Sequence, residues 1–219
     1  MREFVRNAQP HLQARVTAYS VTLLLHDALT GPQLEAVRTD LAEALRDIDA
    51  DALDRKAYRK SEARTRAFHR LEGLLAAKRE QSHLLADPAA AGAVGAYFRM
   101  FDGELYTLLA YSVMSNHAHV LFDLDPQLRG DPDPATMEWP VDRLVGRLKG
   151  GSAYAANHVL GRSGELWMRG YYDRYVRSPV HLDFEYRYIL NNPVKAGLVA
   201  SHTNHVATWG RPDVVGEWS

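Results

Sequence analysis

Cysteine is absent from the 219 residues of the sequence. Its absence excludes a disulfide framework, a thiolate zinc site and a cysteine nucleophile. Long apolar runs are missing too, and none approaches the roughly 20 residues that a membrane helix requires. Residues 1–15 carry charges and a proline where a signal peptide needs an apolar stretch. We therefore expect a cytoplasmic protein that does not contact a membrane.

A surplus of charge of one sign is also lacking, because the formal net charge is only −1. The charge is nevertheless unevenly distributed. Residues 32–54 carry seven acidic and two basic side chains, whereas residues 55–80 carry nine basic and three acidic ones. Such asymmetry is typical of a chain in which one face meets a polyanion. It is equally typical of two solvated helices that pair with each other, and the sequence leaves both interpretations open.

The hydrophobic pattern predicts alternating strands and helices in a globular protein. β-Branched and aromatic runs predict strands at about 16–25, 105–114, 117–124 and 171–177, with Ser115-Asn116 as a tight turn between the second and third. Helical periodicity follows Gly31-Pro32 and recurs at about 55–80, 89–98, 141–160 and 180–192. This order predicts an α+β fold, a two-layer sandwich with a mainly antiparallel sheet and helices on one face, of which the ferredoxin-like βαββαβ pattern is the commonest form.

We expect one domain over residues 1–219, with a helical insertion at about 31–100 and a proline-rich loop at about 125–140. Ser178-Pro179 has the signature of a helix start, with a side-chain cap followed by proline. Asn192-Pro193 and Gly197 predict where that last helix stops.

Two histidines stand out because they are two residues apart on a predicted strand. His117 and His119 should project to the same face of the sheet. Two neutral imidazoles can hold a divalent metal, and oxygen ligands beside them would admit Mg²⁺ or Mn²⁺ as well as zinc. The alternative is two ordinary surface histidines.

The predicted last helix carries a second candidate pair. Tyr188 and Asn192 are four residues apart and therefore share one helix face. Asn192 offers a carbonyl oxygen as a third metal ligand, and Tyr188 offers a phenol able to attack phosphorus. The alternative is a core aromatic followed by a turn residue before proline.

Taken together, these features resemble the REP-associated tyrosine transposases, a branch of the single-tyrosine HUH transposases. The resemblance spans about residues 105–200, and residues 16–25 look like that family's first strand. The segments that carry it are AYSVMSNHAHVLF (110–122), LKG (148–150), GRSGELW (161–167), YDRYVR (172–177) and YILNNPVKAGL (188–198). Ser115, in place of the usual proline, and Met168, where glutamine is common, depart from the family pattern.

The resemblance implies that His117 and His119 form the HUH motif, that Asn192 completes a metal site and that Tyr188 is the nucleophile. It implies a transposase-like endonuclease and strand transferase that cleaves hairpin-containing single-stranded DNA through a 5′-phosphotyrosine intermediate. The expected cofactor is Mg²⁺ or Mn²⁺, with no organic cofactor, and the oligomeric state is left open between monomer and homodimer.

Basic side chains are the expected contacts to DNA phosphates, with Tyr171, Tyr172 or Trp167 stacking on unpaired bases. The candidates are Arg55, Lys56, Arg59, Lys60, Arg64, Arg66, Arg147, Lys149, Arg174 and Arg177. Two rival functions stay open: a domesticated hairpin-binding protein that no longer cuts, and a metal-dependent hydrolase that uses water as the nucleophile.

Overall fold

The computed structural model describes residues 18–51, 55–77, 83–128 and 140–215. The chain forms two compact units, one built from residues 1–26 and 83–219 and the other from residues 27–82. Most of the expected proline-rich loop, residues 129–139, lies outside the described residues. Within the described ranges, every helix is too short or too polar to cross a membrane.

The smaller unit is a pair of helices, α1 (Gly31–Ala50) and α2 (Lys56–Ala76). A capping box opens α1, in which the Thr30 hydroxyl accepts from the Gln33 amide and the Gln33 side chain accepts from the Thr30 amide. Acidic side chains of α1 and its C-terminal cap meet basic side chains of α2. The ion pairs are Arg59–Asp51 at 2.7 Å, Lys60–Asp49 at 2.5 Å and Arg70–Asp40. These contacts confirm the interpretation that the two charged helices pair with each other.

The larger unit is built on a five-stranded sheet. Its strands are β1 (Ala18–Leu24), β2 (Thr107–Val113), β3 (His117–Asp123), β4 (Tyr172–Tyr175) and β5 (Thr208–Gly210). They lie in the order β4-β1-β3-β2-β5, and every neighbouring pair is antiparallel. The predicted α+β fold with an antiparallel sheet is confirmed. The short strand β5 was not expected from the sequence.

Helices cover both faces of this sheet. Helices α3 (Pro88–Arg99) and α4 (Val141–Val159) pack together, and Phe98 of α3 meets Tyr111 on one face. Helix α5 (Pro179–Lys195) packs on the other face, where Leu182 and Ile189 join a cluster with Leu121. The sheet with α3 and α4 forms the predicted two layers, and α5 adds a helix on the second face. Since α3 belongs to this unit, the inserted helical unit ends before it.

The C-terminal end of α5 differs from the expectation. The prediction that Asn192-Pro193 stops the helix is wrong, because α5 continues through Pro193 to Lys195. Proline forgoes one backbone hydrogen bond, but Pro193 is buried with the rest of this helix face, and packing outweighs that loss. The helix ends at Lys195, and a Schellman motif closes it at Gly197, whose φ is 68°. In this motif the Gly197 and Leu198 amides donate to the carbonyls of Val194 and Pro193.

Two glycines of α3 provide a matched test of how tightly that helix sits on the sheet. A Cβ at Gly95 would lie 2.7 Å from the ring of Tyr111, which is buried, whereas a Cβ at Gly92 meets nothing within 4 Å. We expect Gly95→Ala to lower the free energy of unfolding by about 1–3 kcal/mol through overpacking. Gly92→Ala should raise it by up to about 1 kcal/mol through helix propensity. Urea unfolding measures both, and equal effects would contradict the close approach of α3 to β2.

Candidate active site

A row of polar side chains crosses the sheet on the face that α5 covers. Directly opposed residues on antiparallel strands project to the same side, and the register aligns one polar residue from each strand. We refer to these residues as the polar row: Tyr172, Thr22, His119, Ser112 and Thr208. The Ser112 and Thr208 hydroxyls are hydrogen-bonded at 2.8 Å. The candidate site is built around the centre of this row.

The predicted histidine pair lies together on β3. The ring centroids of His117 and His119 are 4.8 Å apart, and the Nε2 atoms of both are buried. Nδ1 of His117 donates to the Asn116 side-chain oxygen at 2.7 Å, and Nδ1 of His119 is hydrogen-bonded to the Thr22 hydroxyl at 2.9 Å. An amide oxygen only accepts, so the proton of neutral His117 is on Nδ1 and its lone pair is on Nε2. This arrangement is typical of histidines that coordinate metal through Nε2.

Burial also keeps His119 uncharged. Burial lowers the pKa of His119 to about 3, and the charge of Arg174 acts in the same direction, while Glu185 acts against both. The imidazole is therefore neutral at physiological pH. A neutral imidazole is the form that binds metal.

Contacts of Ser115 fix the β2–β3 turn that presents His117. The Ser115 hydroxyl is hydrogen-bonded to Nδ1 of His83 at 2.9 Å, and the Ser115 carbonyl accepts from the Leu85 amide. The Met114 amide donates to the His117 carbonyl across the turn. Serine thus anchors this turn from outside the hairpin.

Tyr188 reaches the histidines from α5. Its ring centroid lies 5.7 Å from that of His119 in an edge-to-face contact. Asn192 follows one turn later on the same helix face and is buried, with 8% of its surface exposed. No other described residue hydrogen-bonds to its side chain. The structure thus brings His117, His119 and Tyr188 together, while metal binding by Asn192 and nucleophilic attack by Tyr188 stay predictions.

Two cationic residues of α5, Lys195 and Arg187, differ in how they lie relative to Tyr188. Lys195 places its Nζ 4.7 Å from the Tyr188 ring centroid. Arg187 instead directs its Nε at both carboxylate oxygens of Asp183, at 2.8 and 2.9 Å. Lys195 is therefore the cation of the two that lies beside the Tyr188 ring.

The other tyrosines occupy different surroundings. Tyr186 is buried in the core cluster and donates to the Arg211 carbonyl. Tyr175 pairs with Tyr19, so it lies on the sheet face opposite the histidines and contacts the Tyr19 ring at 5.3 Å. Tyr172 belongs to the polar row. Tyr172 is therefore the tyrosine that competes with Tyr188 for the role of nucleophile.

Several expected DNA contacts have intramolecular partners. Lys149 donates to the carbonyls of Met168 and Gly170, and Arg174 binds Glu185. Arg147 is exposed and lies over the Phe101 ring at 4.3 Å, and Arg177 is exposed as well. In the helical unit Arg55 and Arg66 are exposed, Lys56 donates to the Asp49 carbonyl, and Arg64 is half-buried. Phosphate binding by these residues stays a prediction.

Two of the aromatics proposed for base stacking are not on the surface. Trp167 is buried and donates its Nε1–H to the Ser152 hydroxyl. Tyr171 is buried and donates to Asp142. Their expected exposure is wrong, because both fill the contact between α4 and the segment that leads into β4. Tyr172 is half-buried.

A buried ion pair beneath the site was missed in the sequence. Glu185, with 0% of its side chain exposed, binds Arg174 at 2.8 Å and lies 3.3 Å from Nε2 of His181. Burial favours the neutral carboxyl, but the bond to His181, the charge of Arg174 and a bond with Ser20 outweigh it, so the pKa of Glu185 lies below its ordinary value. The signal available in the sequence was spacing: Glu185 is three residues before Tyr188, so the two residues share one face of α5.

Comparison with known proteins gives one structural likeness. No protein-family model and no curated protein matches the sequence. Among solved structures, the fold is similar to that of a REP-associated tyrosine transposase bound to a REP hairpin, with a TM-score of 0.42 and 15% identity over 98% of this chain and 88% of the other. A likeness of this size leaves the activity of this chain to be inferred from its own residues.

The Glu185–Arg174 pair predicts a specific acid response. A lowered pKa contributes stability above the ordinary carboxyl pKa, and that contribution is lost as the pH falls through the lowered value. We expect Glu185→Gln to cost about 3 kcal/mol at pH 7, since Arg174 loses its counter-charge, and to flatten the fall in stability below pH 4.3. Asp183→Asn, which breaks the exposed Asp183–Arg187 ion pair on the same helix, should cost about 0.5 kcal/mol or less. Urea unfolding at several pH values tests this, and equal costs for the two variants would contradict it.

Proposed function

We propose that this protein is a metal-dependent endonuclease and strand transferase that acts on hairpin-containing single-stranded DNA, with Tyr188 as its nucleophile. The observation that carries the proposal is the contact between Tyr188 and His119. A partly buried tyrosine stands beside two buried imidazoles whose Nδ1 atoms are already hydrogen-bonded. A sheet face built only for stability would carry apolar side chains here.

The donor set fits a divalent cation such as Mg²⁺ or Mn²⁺. His117 and His119 would bind it through Nε2, and the Asn192 amide oxygen would be the third protein ligand. Such an ion would polarise the scissile phosphate and offset the charge that develops on its oxygens.

Tyr188 would then carry out the covalent step. Its phenol oxygen attacks phosphorus in line, a P–O bond to tyrosine forms, and the bond from phosphorus to the 3′ oxygen breaks. The phenol proton passes to solvent and the 3′ oxygen leaves as a hydroxyl. The resulting 5′-phosphotyrosine conserves the phosphodiester energy, so a second 3′ hydroxyl can reverse the attack and join a new strand without ATP.

Binding of the DNA backbone is assigned to the basic side chains. Arg147 and Arg177 are exposed on the unit that carries Tyr188. Arg66 on α2 and Arg55 directly before it are exposed, and Lys56, Arg59, Lys60 and Arg64 would add positive potential there. Lys149 and Arg174 are half-buried, so only a phosphate that comes close to them would be bound. Phosphate contacts of this kind position the strand and carry no sequence information.

Tyr188→Phe is the decisive substitution. It removes one oxygen and hardly changes volume or helix propensity, so folding and DNA affinity should persist. The variant should form no covalent protein–DNA adduct and should cut no strand, whichever metal is supplied. Denaturing gels of mixtures with end-labelled hairpin oligonucleotides and Mn²⁺ measure both products.

Tyr172→Phe and Tyr175→Phe are the matched controls and should retain adduct formation. Loss of the adduct in Tyr172→Phe together with its survival in Tyr188→Phe would mean that the wrong tyrosine is assigned. Cleavage without any adduct in all three variants would favour the hydrolase. Hairpin binding without cleavage by the unaltered chain would favour the domesticated binding protein.

Metal dependence is expected to separate cutting from binding. EDTA and His117→Ala should each abolish cleavage, since both remove the metal from the scissile phosphate. Affinity for hairpin DNA should change less than about threefold, because the phosphate contacts lie elsewhere. Fluorescence anisotropy measures the affinity, and cleavage that survives EDTA would exclude the metal-dependent mechanism.

A further inference from the structure

An exposed apolar stripe leads along α5 to the proposed nucleophile. Val180, Phe184 and Tyr188 follow each other at four-residue steps and therefore share one side of the helix. Val180 is 81% exposed and Phe184 is 54% exposed, whereas Tyr188 is partly buried. The packing of α5 does not explain why a phenylalanine one helix turn before the candidate nucleophile is this exposed.

The geometry of Phe184 and Tyr188 is that of stacked rings. Their centroids are 6.3 Å apart and their planes differ by 16°. Tyr188 contacts the buried His119, whereas its stacking partner Phe184 is 54% exposed. A planar group arriving from solvent can therefore stack on the exposed Phe184 ring, one helix turn from Tyr188.

We propose that Phe184 is a positioning residue on which an unpaired base next to the scissile phosphate stacks. This inference rests on the proposed function. A single strand offers an unpaired base on each side of every phosphate, and aromatic side chains bind such bases in a sequence-tolerant way. With one base on Phe184, the adjoining phosphate is held at the Tyr188 phenol. A duplex keeps its bases stacked inside, which gives the site a physical reason to prefer unpaired DNA.

A direct test uses two probes that differ only in their bases. Both contain the same hairpin, followed in one by an oligothymidylate tail and in the other by an abasic tail of equal length; they are called oligothymidylate and the abasic strand below. They carry the same phosphates, and EDTA prevents cleavage during the measurement. We expect Phe184→Ala to weaken binding of oligothymidylate by about 5- to 150-fold and to leave binding of the abasic strand unchanged. Phe184→Trp should preserve affinity, and its added fluorescence should be quenched by oligothymidylate and not by the abasic strand. Val180→Ala, one turn away and more exposed, should change neither affinity.

The outcomes separate this inference from the proposed function. Equal weakening on both strands would assign Phe184 a general structural role, and no weakening on either would remove it from the site; both results overturn the inference. A dimer that Phe184→Ala converts to monomer, with DNA affinity unchanged, would identify the stripe as a contact between copies of the chain and also overturn it. Failure of the unaltered chain to bind hairpin-containing single-stranded DNA, or to form a Tyr188 adduct with it, would reject the proposed function itself.

Discussion

The seating of α5 on the sheet is the constraint on which the candidate site depends. Leu182 and Ile189 bury one side of the helix against Leu121 of β3. Tyr188 lies at the boundary of that buried side, and a change of one residue in helix register would turn it by about 100° away from His119. Glu185 opposes such a rotation, because a buried carboxylate separated from Arg174 costs several kcal/mol. The position of the proposed nucleophile is therefore set by the core and by a buried ion pair.

The polar row lowers the stability that an apolar sheet interior would provide. Polar groups in a sheet interior are unfavourable unless they are hydrogen-bonded. Here Thr22 bonds His119, and Ser112 bonds Thr208, which in turn bonds His205. On the opposite face β1, β2 and β3 carry apolar side chains, and Tyr111 there contacts Phe98 of α3. Local departures from an apolar interior are expected where a protein places function, and this sheet confines them to the face of α5.

Local patterns in the sequence were sufficient for much of the fold. The two-residue period of β3 predicted that His117 and His119 share a face, and Ser178-Pro179 predicted the start of α5, where the Ser178 hydroxyl accepts from the His181 amide. Long-range packing decided what the sequence did not predict. Pro193 stays inside α5 because its surroundings are buried, and β5 has only three residues, too few for a periodic signal.

Charge was the least predictable property for the same reason. The basic side chains of α2 suggested a surface for a polyanion, but Arg59 and Lys60 find carboxylates contributed by the preceding helix and its cap. Arg174 was expected to meet phosphate, and its partner Glu185 is eleven residues further along the chain. A count of charges gives their number and sign along the chain, whereas the fold decides which of them neutralise each other.

The surroundings of Tyr188 also restrict how a phenol there could lose its proton. His119 is the adjacent imidazole, but a group with a pKa of about 3 is far too weak a base for a phenol whose ordinary pKa is near 10. Lys195, whose Nζ lies 4.7 Å from the ring centroid, favours the phenolate through its positive charge. In the proposed reaction, a cation held by His117 and His119 would add further positive charge near the phenol, so metal binding and readiness of the nucleophile would be coupled.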